Sequence, residues 1–278
     1  MMEDQKPAHS SESNLEEENQ IQNMEPPEVH QDSQNDTNNL PVDIKANDSD
    51  SEESVQIKIR AGFIRKVYGI LSIQLMITFC FVFLFQIPGL KSFVMLHQSL
   101  CGNLLLMSSL AFITLFLILV CKRDLAKTVP CNYIYLFAIT LCESISCGIV
   151  SSLYSFQIVA TALALTIITT LVITFYACTT KTDFSYIRMG LYIFFSQIFF
   201  IGLIAVLFRL EALYTVYTVA MTITVGIYLV YDTQLIMGKF GVAYSVDDYI
   251  FATLEIYMDI IRLFLLILRL VAKAQRRN

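Results

Sequence analysis

The run LEIYMDIIRLFLLILRL (254–270) is apolar enough to cross a membrane, yet it carries Glu255, Asp259 and Arg262. The three stand at i, i+4 and i+7. At about 100° per residue they share one face of a helix. Charges at membrane depth cost several kcal/mol unless they are paired or hydrated. The stripe, which Asp248 and Arg269 extend, therefore reads in two ways. It lines a bundle interior, or it is structural: the solvated face of an interfacial helix, or an internal Asp259–Arg262 pair. Two more acids stand in apolar surroundings. Asp232 lies in YLVYDTQLIMG (228–238), as a helix-end polar residue or as a site. Glu143 lies in TLCESISCGIVSS (140–152), where Thr140, Glu143, Ser144, Cys147 and Ser151 form a polar stripe at helical spacing. A carboxylate at that depth faces protein or water, with a functional or a packing role.

Other chemistry fails on inventory. Outside the N-terminal tail the only histidine is His97, and no HExxH, GxSxG, GxGxxG or P-loop occurs, so an enzyme is not expected. The seven cysteines sit in or beside apolar runs without CxxC or zinc spacing, and read as small buried hydrophobes. Basic residues lack aromatic interleaving, which argues against nucleic acid. In SVDDY (245–249), Ser245 and Asp248 have the spacing of a helix-capping box, and KTDFS (181–185) reads as a polar loop.

The elements that must position these acids are membrane helices. The chain is 55% hydrophobic, with a mean hydropathy of +0.59. Apolar runs long enough for a ~30 Å hydrocarbon core recur near 67–87, 99–121, 131–153, 156–178, 186–208, 211–231 and 249–270. This predicts an all-α, polytopic seven-helix bundle over 58–272, with the lipid bilayer as its environment. Residues 1–54 hold fifteen Asp/Glu and two Lys and almost no aromatics, so 1–57 is expected to be a disordered acidic tail; 273–278 is a short basic tail. No basic segment followed by an apolar run opens the chain, so a cleavable signal is not expected. Without Trp, Tyr68, Tyr133, Tyr154, Tyr186, Tyr214 and Tyr249 would supply the interfacial belt. Lys/Arg counts in the short flanks put the N-terminus in the cytosol. Seven crossings would then place the basic Arg269, Lys273, Arg276 and Arg277 outside, against the same rule, unless the last helix stops short.

RAGFIRKVYGILSIQLMITF (60–79), TTKTDFS (179–185), YLVYDTQLIMG (228–238) and DDYIFATLEIYMDIIRLFLLILRL (247–270) resemble the lifeguard branch of the transmembrane Bax-inhibitor-motif family. The resemblance runs over about 58–272 in order. It implies a seven-helix bundle in endomembranes (endoplasmic reticulum or Golgi, with the plasma membrane as a further location), a calcium leak or its regulation, and suppression of apoptosis. It assigns the family's pH-sensing pair to Asp232 and Asp259; beside them Glu143, Glu255 and Arg262 read from the chain itself as auxiliary polar lining. Two carboxylates close together in low dielectric titrate as a coupled pair. When ionised they also offer hard oxygens to calcium, a weakly bound or permeating ion, although calcium prefers 6–8 ligands; no tightly bound cofactor is implied. The alternative is a non-conducting protein that restrains apoptosis through membrane partners such as Bcl-type regulators or death-receptor components. The chain departs from its relatives at Glu255 (usually neutral and polar), at Arg262 (usually Asn or aromatic), at Val246 (usually Pro) and in its acidic tail. Arg262 could clamp Asp259, or Glu255 could take Arg262 and leave Asp259 free.

Overall fold

The computed structural model describes residues 42–184, 188–239 and 244–277. Helices α1 (Val42–Leu84), α2 (Pro88–Leu96), α3 (Gln98–Cys121), α4 (Arg123–Lys127) and α5 (Cys131–Ser152) make the first half. Helices α6 (Phe156–Thr179), α7 (Arg188–Leu207), α8 (Glu211–Met237) and α9 (Tyr249–Arg277) make the second, with a 3₁₀ turn at Val246–Asp248 before α9. Prolines set two of the breaks: Pro88 sits in the first turn of α2, where its missing N–H is no loss, and Pro130 precedes α5. Ser155 caps α6 by accepting from the Ile158 amide.

Among the described residues, five helical segments are long and apolar enough to cross a membrane: Ser54–Leu84, Gln98–Cys121, Cys131–Ser152, Phe156–Thr179 and Glu211–Met237. Ile193–Leu207 is a shorter apolar segment. Large apolar side chains on α3, α6 and α7 are exposed, among them Met107, Leu171, Phe175 and Phe200. An exposed face of this kind suits lipid rather than water. The architecture is all-α and polytopic, as expected.

Helix α9 occupies the centre. Ile250, Leu254, Tyr257, Phe264 and Leu268 are completely buried, and the helix packs against α5, α6 and α8. Lipid accepts a leucine as readily as a protein core does, but it does not accept a carboxylate. The helix that carries Glu255 and Asp259 is therefore packed among the others. It also runs the full length of α8 in the opposite sense. Near its start, Arg60 bridges Leu235 O of α8 and Tyr244 O at 2.6 and 2.8 Å. Near its end, Lys273 donates to Glu211 O and Thr215 Oγ1 at the start of α8.

Helices α1, α5 and α9 run in one direction. Tyr249 carries the Lys66 ammonium over its ring at 3.3 Å and takes a 2.8 Å hydrogen bond from Asn132 Nδ2. Further along, Thr78 Oγ1 meets Ser144 Oγ at 3.0 Å and the Tyr257 hydroxyl at 2.9 Å, beside a 2.8 Å bond from Gln74 Nε2 to Thr140 Oγ1. Gln86 Nε2 donates to Ser151 O at 2.7 Å near the other end. The polar stripe of α5 therefore faces helices, not lipid.

Several expectations are corrected. Helix α1 starts at Val42 instead of 67, so residues 42–57 of the expected acidic tail are helical, while 1–41 lie outside the described residues. The sixth run continues to Met237, which places Asp232 inside a helix. Ser185 and Tyr186, with the start of the expected fifth run, fall outside the described residues. Ser245 makes no side-chain cap, and Asp248 pairs with Lys127 at 3.5 Å instead. Tyr249 is buried rather than part of a belt, because its hydroxyl and ring both find partners inside. Cys101 and Cys147 are buried, but Cys80, Cys121 and Cys131 are exposed; all seven are free thiols.

Candidate functional site

Helix α8 ends on Gly238, whose φ of 70° is left-handed and open to glycine at little cost. A Cβ there would lie 3.0 Å from Arg60 Nε. The Arg60 guanidinium thus closes over the α8 terminus, where a cation suits the exposed carbonyls, and holds Tyr244 by its carbonyl. The Tyr244 hydroxyl in turn donates to Glu255 Oε2 on the second turn of α9. Local capping and one long-range cation fix how the end of α8 meets the start of α9.

Between these two helices lies a cavity of about 500 Å³. Asp232 from α8 and Asp259 from α9 line it at 8% and 6% exposure. Their carboxyl groups are in side-chain contact. Asp259 Oδ2 is buried and receives no hydrogen bond. A carboxylate accepts and cannot donate, so this contact becomes a hydrogen bond only when one of the two carries a proton. Arg262 Nη1 lies 3.8 Å from Asp259 Oδ1 with its side chain 48% exposed. That separation is an ion pair beyond direct hydrogen-bonding range.

The Arg262 guanidinium faces Asp259, and Glu255 accepts from Tyr244. The stripe does not act as one unit. Arg269 sits over the Tyr214 ring, 6.0 Å from its centre, and Asp248 is with Lys127. Glu143 is absent from the cavity lining and is half-buried on α5. Among the described residues no three His, Cys, Asp or Glu side chains converge as a metal-binding group. Any calcium at Asp232 and Asp259 would complete its shell with water and carbonyls.

Sequence reasoning missed the walls. Arg123 from α4 lines the cavity, as do Tyr228 and Tyr231 beside Asp232, together with Phe116 and Phe195. The tyrosines were visible in YLVYD as neighbours of the acid. Arg123 and the two phenylalanines carried no signal, because nothing local distinguishes a side chain that a distant helix will face.

The family profile described as "Inhibitor of apoptosis-promoting Bax1" matches residues 60–277. The chain belongs to this family. Among individual relatives, human "Protein lifeguard 3" is 30% identical over 221 residues, which is 77% of this chain and 69% of that protein. Mouse "Protein lifeguard 3" is 29% identical over 77% of this chain and 70% of its own length. Mouse "Protein lifeguard 4" is 30% identical over 225 residues, covering 81% of this chain and 90% of that protein. The matches support the lifeguard branch and an integral membrane protein that acts against apoptosis. The acid pair and the cavity lie inside the matched region.

Proposed function

We propose that this lifeguard-branch protein regulates a pH-sensitive calcium leak across an endomembrane, and that its action against apoptosis follows from that leak. Asp232 and Asp259 act as a coupled proton sensor and as the first oxygens a permeating calcium ion meets. The observation that carries this reading is the contact of two buried carboxyl groups from different helices on the wall of one cavity. A proton shared between α8 and α9 holds the helices together, and its loss sets two like charges against each other. One protonation event therefore biases two helix arrangements. In this reading α7 and α9 complete seven crossings, and the N-terminus is cytosolic.

Calcium efflux from liposomes, measured at two pH values for wild type, Asp232→Ala and Asp259→Ala, tests the proposal. Wild type should leak at rates that differ between the two pH values, and each variant should flatten the difference. A wild-type leak whose pH profile survives both substitutions would refute the sensor assignment. Absence of leak from wild type would refute the conduction and leave the non-conducting, partner-binding reading.

A further inference from the structure

Helix α2 is arranged the wrong way round for a helix in water. Its one ionisable side chain, Lys91, turns toward the protein, where the ammonium donates to Tyr154 O and, at 3.2 Å, to Gln86 Oε1. Phe93, Met95 and Leu96 point outward instead, Leu96 being 79% exposed. A helix in water shows its charge and hides its apolar residues. The segments on either side of α2, Ser54–Leu84 and Gln98–Cys121, are both long and apolar enough to cross a membrane. The helix therefore lies where two crossings end, at headgroup level, and there an apolar outer face suits acyl chains.

Both acceptors of Lys91 are neutral, and the connections that meet here, 85–97 and 153–155, hold no Asp or Glu. An ammonium offers three protons, of which these acceptors take two. Beside it opens a recess of about 600 Å³ lined by Gln86, Pro88, Lys91, Ser92, Met95 and Leu96. One part of this lining is polar and the other apolar. The first turn of α2 begins at Pro88 without a side-chain cap, and a Cβ added at Gly89 would meet nothing within 4 Å. An uncapped helix start presents free N–H groups to an anion.

The geometry points to a lipid site: the recess holds the phosphate of one membrane glycerophospholipid on Lys91, Ser92 and the first turn of α2, with its acyl chains against Met95 and Leu96. A phosphodiester carries one negative charge, which matches the one ammonium. Free phosphate would satisfy the polar part and leave the apolar part bare, whereas a lipid covers both. The site follows the end of α1, and the acid pair stands near the start of α9. Since those helices run in one direction, the two sites occupy opposite ends of the bundle, and lipid binding here does not depend on a calcium leak.

The test is native mass spectrometry of the full-length protein in detergent, titrated with dioleoyl phosphatidylcholine, with diolein, which lacks the phosphate, or with glycerophosphocholine, which lacks the chains. Wild type should retain one phosphatidylcholine and neither of the others. Lys91→Met should weaken retention about tenfold, the loss of one charge-assisted contact. Lys91→Arg should restore it to within a few-fold. Ser92→Ala and Leu96→Asp should each weaken it several-fold, and Lys122→Met, a cation at the other end of α3, should leave it unchanged. The inference is overturned if wild type retains no phosphatidylcholine, or if Lys91→Met retains it as wild type does. Equal retention of diolein would mean apolar contact alone, and equal retention of glycerophosphocholine a site for soluble anions; either overturns it. So does an equal loss in Lys122→Met, which would mean attraction to charge in general. Should Lys91→Met fail to fold, undiminished retention in both Ser92→Ala and Leu96→Asp would overturn the site.

Discussion

Tyr257 is the residue to perturb first, because its hydroxyl sets how α9 is rotated. It stands two positions before Asp259, about 200° around the helix, so anchoring Tyr257 on α1 and α5 directs Asp259 toward α8. The hydroxyl is completely buried and contacts both Thr78 Oγ1, at 2.9 Å, and Ser144. Each of those neighbours also has a partner on its own helix: Thr78 donates to Gln74 O at 3.0 Å and Ser144 to Thr140 O at 2.6 Å. Tyr257→Phe therefore strands nothing. It should cost only about 0.6 kcal/mol, the usual worth of such a bond between membrane helices. Thr78→Val together with Ser144→Ala is different, because it leaves a buried phenol with no partner. An unsatisfied group of that kind costs about 1–3 kcal/mol beyond the lost bonds. Adding Tyr257→Phe to that double variant removes the orphan and should return about 1–3 kcal/mol. The same substitution thus destabilises the wild type and stabilises the double variant. Thermal unfolding of the four proteins in one detergent, monitored by circular dichroism, reads the sign directly. If Tyr257→Phe lowers the midpoint in both backgrounds, the hydroxyl is not held by this pair and the argument for α9 rotation fails.

Two further outcomes follow from the end of α8. Gly238→Ala forces an L side chain into the left-handed region and against Arg60, which should cost about 1–2 kcal/mol and lower the unfolding midpoint by a few degrees; an unchanged midpoint would show that this turn tolerates a Cβ. Arg60→Met removes two charge-assisted bonds, to Leu235 O and Tyr244 O. Amide hydrogen exchange at the start of α9 should then quicken several-fold while α3 stays unchanged, whereas equal exchange throughout would mean that Arg60 does not secure this junction.

Much was readable along the chain. Hydropathy and charge are properties of a residue and its near neighbours, so they place apolar runs, proline breaks and misplaced acids without any knowledge of the fold. They also put Glu255, Asp259 and Arg262 on one face. Periodicity could not say what that face meets. Asp232 and Asp259 were paired by resemblance, since no local rule joins two acids that stand on different helices. Even the shared face proved misleading in part. Glu255 turns to Tyr244, Arg262 to Asp259, Asp248 to Lys127 and Arg269 to Tyr214, because each has a different neighbour as α9 passes through the bundle. Boundaries were missed where no apolar signal marked them, as at Val42 and in the last turn of α8. The sequence alone determined that this is a membrane protein whose helices carry buried acids, because the cost of water against oil is counted residue by residue. Only tertiary structure decided that α9 is central and that Arg262 stands beside the acid pair. Those facts depend on which faces of distant segments come together, and that is set by packing among them all.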